Sequence, residues 1–158
     1  YNHKNTGRPV DPQPGDNMVF WSHYIDEESS PLYPFGFGLS YTSFNYSNLK
    51  VENSFAVNQE VKVSVELSNT GDYDGKEVVQ LYIRDLFAKV VRPVRELKGF
   101  QLVELKKGES KTVNFSLTEK ELGYYDQNGD FIVEPGDFEI FVGTNSNASL
   151  KTNFSLQQ

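Results

Sequence analysis

The sequence has no cysteine, two histidines, one methionine and one tryptophan among its 158 residues. Without cysteine there is no disulfide framework and no thiolate metal site, although this absence names no compartment. Positive charge is also scarce: 15 Lys and Arg stand against 22 Asp and Glu, a formal net charge of −7. Nucleic acid and anionic membrane surfaces both require a basic patch, so neither is an expected partner. The adjacent pair Lys106-Lys107 sits beside Gly108 and reads as a turn. No apolar run approaches transmembrane length. Tyr1-Asn2-His3-Lys4 contains neither an apolar signal region nor an initiator methionine, so the sequence reads as a piece of a longer protein. A chain of this length can bury roughly two-thirds of its unfolded surface in one core and still carry an appendage.

What the chain does have is a concentration of aromatic residues and glycine in Leu32-Tyr33-Pro34-Phe35-Gly36-Phe37-Gly38-Leu39-Ser40-Tyr41-Thr42. Its spacing fits neither a helix nor a regular strand. Pro34 keeps its own φ extended and pushes Tyr33 out of the helical region. Gly36 and Gly38 allow positive φ and close backbone approach. Tyr33, Phe35, Phe37 and Tyr41 carry large apolar surfaces that are costly to leave in water. A solvated linker would be built from Gly, Ser and charged residues instead. Residues 32–43 are therefore expected to be a connector pinned between two neighbours. Upstream, residues 1–31 are punctuated by Gly7, Pro9, Pro12, Pro14, Gly15 and Pro31 and show no period. Met18-Val19-Phe20-Trp21 is a short strand or a buried loop, and Asp26-Glu27-Glu28 a solvated turn. Nothing in 1–31 builds a core, so any order there comes from a neighbour.

From residue 44 the pattern becomes alternating. Phe44, Tyr46 and Val51 predict a first strand with a kink near Ser47-Asn48. Residues 60–68 alternate with Val61, Val63, Val65 and Leu67 inward. Turn chemistry over 69–75 leads to 77–83, where Val79, Leu81 and Ile83 make the inner face and Val78 and Tyr82 lie on the other, so both sides are expected to be partly covered. After a long connection over 85–95 come strands over 97–105 and 112–117. Thr118-Glu119-Lys120-Glu121 has the spacing of a capped helical turn that Gly123 ends. Asn128-Gly129 marks a hairpin, both residues tolerating positive φ. Phe138, Ile140 and Val142 form another inner face, and Leu150, Thr152, Phe154 and Leu156 a last strand left as an uncapped edge. The expected fold is an all-β antiparallel sandwich of seven to eight strands over 44–158, behind an irregular N-terminal extension.

Candidate chemical sites are few. Asp126, Asn128, Asp130 and Asp137 fall near the positions of a calcium loop, but Phe131 stands where that loop needs glycine and the flanks are strands, so a hairpin is expected. His3 and His23, twenty residues apart in irregular chain, are read as structural or surface groups and not as metal ligands. There is no nucleophile elbow and no phosphate-cradling loop. Trp21 and Tyr73 could stack on sugars but are expected at a core or interface. Arg84, Arg92 and Arg95 are expected to brace the long connection through carboxylates or carbonyls. The Asn-x-Ser sequons at Asn45, Asn114, Asn147 and Asn153 are taken as chance matches. No catalytic, cofactor or metal residue is assigned.

The aromatic connector resembles the segment that precedes the C-terminal domain of family 3 glycoside hydrolases, the β-glucosidase and β-xylosidase group. Val79-Gln80-Leu81-Tyr82 is similar to a central strand of that domain, and Arg92-Pro93-Val94-Arg95-Glu96-Leu97-Lys98-Gly99-Phe100 to its most recognisable internal segment. Val133-Glu134-Pro135-Gly136-Asp137-Phe138 through Val142-Gly143 is similar to its last hairpin. Asn5-Thr6-Gly7-Arg8-Pro9 resembles the tail of the preceding α/β-sandwich domain. The resemblance implies an immunoglobulin/fibronectin type III-like sandwich attached to a barrel and an α/β-sandwich domain. Those two domains would hold the carboxylates that hydrolyse terminal β-glycosides with retention, with no cofactor.

By that resemblance this chain carries no catalytic residue and is inactive alone. Its partners are the catalytic domains of the same parent chain, which act on β-linked glycosides in carbohydrate metabolism, in a periplasmic or secreted location. Tyr33, Pro34, Phe35, Gly36, Phe37, Gly38 and Tyr41 would form the domain interface, with Asn5 and Arg8 near the substrate entrance. A carbohydrate-binding module and an adhesion or pairing sandwich are the alternatives.

Overall fold

Val61, Val63, Val65 and Leu67 alternate with Lys62, Ser64, Glu66 and Ser68, and the apolar set is almost completely withdrawn from water. That period of two is the rule from which the fold is built. A computed structural model describes residues 31–51, 54–57 and 59–157. The readings made for 1–30, including His3, Asn5, Arg8, Met18-Val19-Phe20-Trp21 and His23, lie outside the described residues.

Strands β1 (Phe44–Lys50), β2 (Ser54–Ala56), β3 (Val61–Asn69), β4 (Gly75–Asp85), β5 (Glu96–Leu105) and β6 (Ser110–Leu117) precede a single helical turn, α1 (Glu119–Leu122). The short hairpin β7 (Tyr124–Tyr125) and β8 (Phe131–Ile132) follows, then β9 (Gly136–Gly143) and β10 (Leu150–Gln157). One sheet runs β1-β3-β6 and the other β2-β10-β9-β4-β5. Their facing sides share one core: Val65, Val113 and Leu117 from the first sheet pack with Leu81, Ile140 and Phe154 from the second. Within it Phe138 and Phe154 stack with ring centres 5.1 Å apart. The fold is thus the expected all-β sandwich.

The structure departs from the expectation in several places. Ser54–Ala56 forms a strand that pairs parallel to residues 155–157 of β10, so the pairing is not wholly antiparallel and that end of β10 is not an open edge. Three residues are too short a run to show a period, which is why β2 was not legible. The kink near Ser47-Asn48 is a register irregularity inside one continuous strand, with Asn48 at φ 53°. Thr118 and Glu121 form the reciprocal capping box. Gly123 ends the helix at φ −74°, so left-handed geometry is not its role. A Cβ there would lie 2.4 Å from the Phe131 ring, and it is this closeness that needs glycine. In the hairpin turn only Gly129 has positive φ; Asn128 does not.

Strand β4 departs from simple alternation in a way that locates the site. Val79, Leu81 and Ile83 face the core as expected, yet Gln80 and Tyr82, on the other face, are buried too. Something covers the outer face of the five-stranded sheet.

Core and surface apolar positions should respond differently to truncation. Leu67→Ala, at a fully buried site, should cost about 2–5 kcal/mol in urea unfolding. Leu102→Ala, at a site 65% exposed, should change stability by no more than about 0.5 kcal/mol.

Candidate functional site

The cover over the outer face is the aromatic connector, which lies along the sheet as a strap. It is held at two places. At the first, Pro34–Phe37 makes a turn closed by the Phe37 amide donating to the Pro34 carbonyl at 3.0 Å. Gly36 occupies its third position at φ +80°, the value a type II turn demands. The turn is then tied to the sandwich by its own backbone. The Ser146 amide donates to the Phe35 carbonyl at 2.9 Å, and the Gln80 side-chain amide to the Gly36 carbonyl at 3.0 Å. The same Gln80 nitrogen donates to the Thr144 carbonyl, while the Gln80 oxygen accepts from the Tyr82 hydroxyl. Burial pushes the Tyr82 hydroxyl up to about 12, so it remains a donor at neutral pH. A Cβ on Gly36 would stand 2.1 Å from the Gln80 side-chain oxygen, so both conformation and space require glycine there.

The second attachment is at Thr42-Ser43. The Thr42 hydroxyl donates to the side-chain oxygen of buried Asn69 at 2.7 Å, and the Thr70 amide donates to the Ser43 carbonyl at 2.8 Å. Asn69 completes its own bonding by donating to the carbonyls of Tyr73 and Leu105. Every tie is polar and lies on the strap's inner side. Its apolar side chains point away: Leu32 is 87% exposed, Leu39 92% and Tyr41 98%. Tyr33, Phe35 and Phe37 are also exposed, with the Tyr33 and Phe37 rings 5.0 Å apart. The structure thus brings the expected residues Tyr33, Pro34, Phe35, Gly36, Phe37 and Tyr41 into one strap packed on the sandwich through one side only. Gly38 shows neither positive φ nor any atom within 4 Å of a Cβ, so nothing among the described residues requires glycine there. Beside the strap an open groove of about 620 Å³ is walled by Phe37, Leu39, Val78, Leu97 and Phe100, with Gln80 in its lining.

The long connection between β4 and β5 is braced by charge. Arg92 donates to Glu96 at 2.6 and 2.9 Å, lies 3.7 Å from Asp85, and covers the Tyr124 ring at 4.6 Å. Burial raises Glu96, but hydrogen bonds from Lys98 and Arg92 outweigh it and hold the carboxyl below its ordinary value. Burial pushes Asp85 up, against the pull of the Phe87 amide and of Arg92. Arg95 donates to the Ser146 and Ala148 carbonyls and lies 3.8 Å over the Phe141 ring, so it also fixes the loop that receives the strap. Arg84 does not brace the connection; it pairs across strands with Glu139 at 3.5 Å.

The calcium-like residues are occupied otherwise. One Asp126 carboxylate oxygen accepts the amides of Asn128 and Asp130, closing the hairpin turn. No group of three metal-ligating side chains occurs among the described residues. No helix there is long and apolar enough to cross a membrane. Sequence reasoning missed Gln80 and Asn69 as the pins of the strap. The signal for Gln80 was present: it is a polar residue inside the apolar run of a central strand, which must find partners when buried.

The comparisons with known proteins agree with this architecture. Residues 77–146 match the model of the fibronectin type III-like domain. The chain is 41% identical over 157 residues to the periplasmic beta-glucosidase of Salmonella typhimurium, covering 99% of this chain and 20% of that protein. It is 50% identical over 131 residues to a beta-xylosidase of Formosa agariphila, covering 82% of this chain and 18% of that one. A mutant beta-glucosidase of Listeria innocua in complex with laminaribiose superimposes with a TM-score of 0.88 at 38% identity, over all of this chain and 22% of that chain. The fold is therefore a fibronectin type III-like β-sandwich. The chain carries a fibronectin type III-like domain, is similar to the part of these beta-glucosidases and beta-xylosidases that contains it, and spans about a fifth of the length of the relatives it matches.

Two outcomes test the geometry. Gly36→Ala forces a left-handed conformation on an L-residue against Gln80, and should cost about 1–3 kcal/mol locally. Hydrogen exchange would show it as faster exchange at the Phe37 and Ser146 amides, with the β3 amides unchanged. Glu96, lowered in the folded state, contributes stability above its ordinary value of 4.5 that is lost as pH falls through its folded value. The stability gap between the unaltered chain and Glu96→Gln should be widest near about pH 7 and close towards about pH 3, measured by urea unfolding.

Proposed function

We propose that this chain is a non-catalytic brace of a β-glucosidase-type glycoside hydrolase, and that the outward face of the strap is where the catalytic part of the same polypeptide seats. The observation that carries the reading is the strap's two-sidedness. Its backbone is tied to the sandwich at Phe35, Gly36, Thr42 and Ser43, while Leu32, Leu39 and Tyr41 are left almost wholly in water. A segment held that firmly with its apolar side chains outward suits a surface that another body covers. The relatives extend far beyond the matched fifth, so such a body is part of the same chain in them.

In this reading the parent hydrolyses terminal β-linked glycosides with retention, in the periplasm or outside the cell, as the name of the Salmonella relative supports. Asn5 and Arg8 belong at the entrance to its sugar pocket. The sandwich supplies position: a displacement of about 1 Å near the reacting atoms can cost on the order of a hundredfold in rate.

A carbohydrate-binding role is less well supported. Tyr73 lies outside the sandwich core and is 65% exposed, but it stacks with no second ring among the described residues. The exposed Tyr125 and Phe131 rings meet edge to face at 67° and offer no flat platform for a sugar. A pairing sandwich is also disfavoured. β10 is flanked by β2, and across the opposite side Gln101 donates to the Asn114 carbonyl and Lys111 to the Glu104 carbonyl, occupying groups an added strand would use.

Leu32→Ala and Tyr41→Ala should leave the melting curve of the isolated chain unmoved. Each should weaken seating in the full-length parent by about 1–3 kcal/mol, seen as earlier melting and lower kcat/KM on an aryl β-glucoside. Equal shifts in both proteins would reject the interface. The purified chain itself should not turn over that substrate.

A further inference from the structure

The groove between the strap and strand β5 adjoins the strap's outward face at Leu39, and its chemistry points to an occupant within this chain. Phe37, Val78 and Phe100 present 44%, 41% and 68% of their surface along it. Val78 and Phe100 lie on a sheet whose neighbouring outer-face residue, Tyr82, is already covered, and Phe37 faces them from the strap side. Apolar surface concentrated in a concavity is a binding site in want of apolar side chains. The chain outside the described residues joins the structure at Pro31, next to the strap, and its strongest apolar run is Met18-Val19-Phe20-Trp21.

We propose that this groove is the seat of Met18-Val19-Phe20-Trp21 of the same chain. The run is short and bounded by Asp16-Asn17 before it and Ser22-His23 after it, so the apolar insert offered to a groove of about 620 Å³ is four residues long. The nine residues between Trp21 and Pro31 can span at most about 30 Å, enough to fold back across a strap that starts at their own end. Tethering sets the local concentration of the run near the millimolar range, so an intrinsic affinity of about 1 mM suffices to occupy the groove. A free partner would need to bind far more tightly or be far more abundant. The inference does not depend on the proposed brace function, because its test reads Val78 and Phe100 of the sheet and not the outward residues Leu32 and Tyr41.

Trp21 is the one tryptophan of the chain, so indole emission reports on it alone. The test is acrylamide quenching of the 158-residue chain, native and in denaturant, with Phe100→Ser and Val78→Lys as variants. Both replace exposed side chains, and the strand circular dichroism transition of each verifies that it folds. The expected result is a native quenching constant several-fold below that of the unfolded chain, independent of protein concentration. Either folded variant should move it most of the way to the unfolded value. Trp21 as quenchable in the native chain as in the unfolded one would overturn the proposal. Shielding that survives both variants, or shielding that grows with concentration and so belongs to a second copy, would overturn it equally.

Discussion

The Gln80 side chain lies in the middle of strand β4 among Val79, Leu81 and Tyr82, where water cannot reach its amide. A buried amide left without partners costs about 1–3 kcal/mol. Gln80 meets that constraint by donating to the Gly36 and Thr144 carbonyls and accepting from the Tyr82 hydroxyl. Two separate pieces of chain, the strap and the loop after β9, are thereby set against one side chain, beside Tyr82 of its own strand. The partners are reciprocal: the strap carbonyl would itself be unsatisfied without Gln80, and the strap is what keeps water from Gln80. Gly36 completes the arrangement because any larger residue would occupy the space of the Gln80 oxygen.

The rest of the outer face follows from that contact. Once the turn at Pro34–Phe37 is fixed, the chain can run only towards Thr42, where Asn69 repeats the device with a second buried amide. Arg95 stiffens the receiving loop from the other side by holding the Ser146 and Ala148 carbonyls. Polar atoms do the fastening, and the apolar side chains are thereby free to face outward. This inverts the usual division of a soluble domain, in which apolar groups pack inward and polar groups face water. The sandwich core needs no help from the strap: it is closed by the alternating residues of β3, β4, β6, β9 and β10.

Much of this was legible in the sequence, and the limits have physical causes. Strands β3, β4, β9 and β10 announced themselves because each has one face in the core, which imposes a period of two on residues such as Val61, Val63 and Val65. The capped turn at Thr118 and the hairpin at Gly129 were legible because their chemistry is local. The special character of 32–42 was legible from its composition, and Gly36 takes the conformation that composition implied. The direction its side chains face was not, since a segment without periodicity has no alternation from which to assign faces. Gln80 hid inside an apolar run, and its partners at Gly36 and Thr144 are far away in sequence. β2 was invisible because three residues carry no period, and Arg84 was misassigned because its partner Glu139 lies on a strand neighbour known only from the register.

The account stands on one claim: the strap is fastened inward by buried amides so that its apolar face can be covered by the rest of the parent polypeptide. Hydroxyl-radical footprinting of Leu32, Tyr33 and Tyr41, compared between the isolated chain and the full-length parent, tests it most directly. The account predicts strong modification of all three in the isolated chain and strong protection in the parent. Equal modification in the two proteins would contradict it.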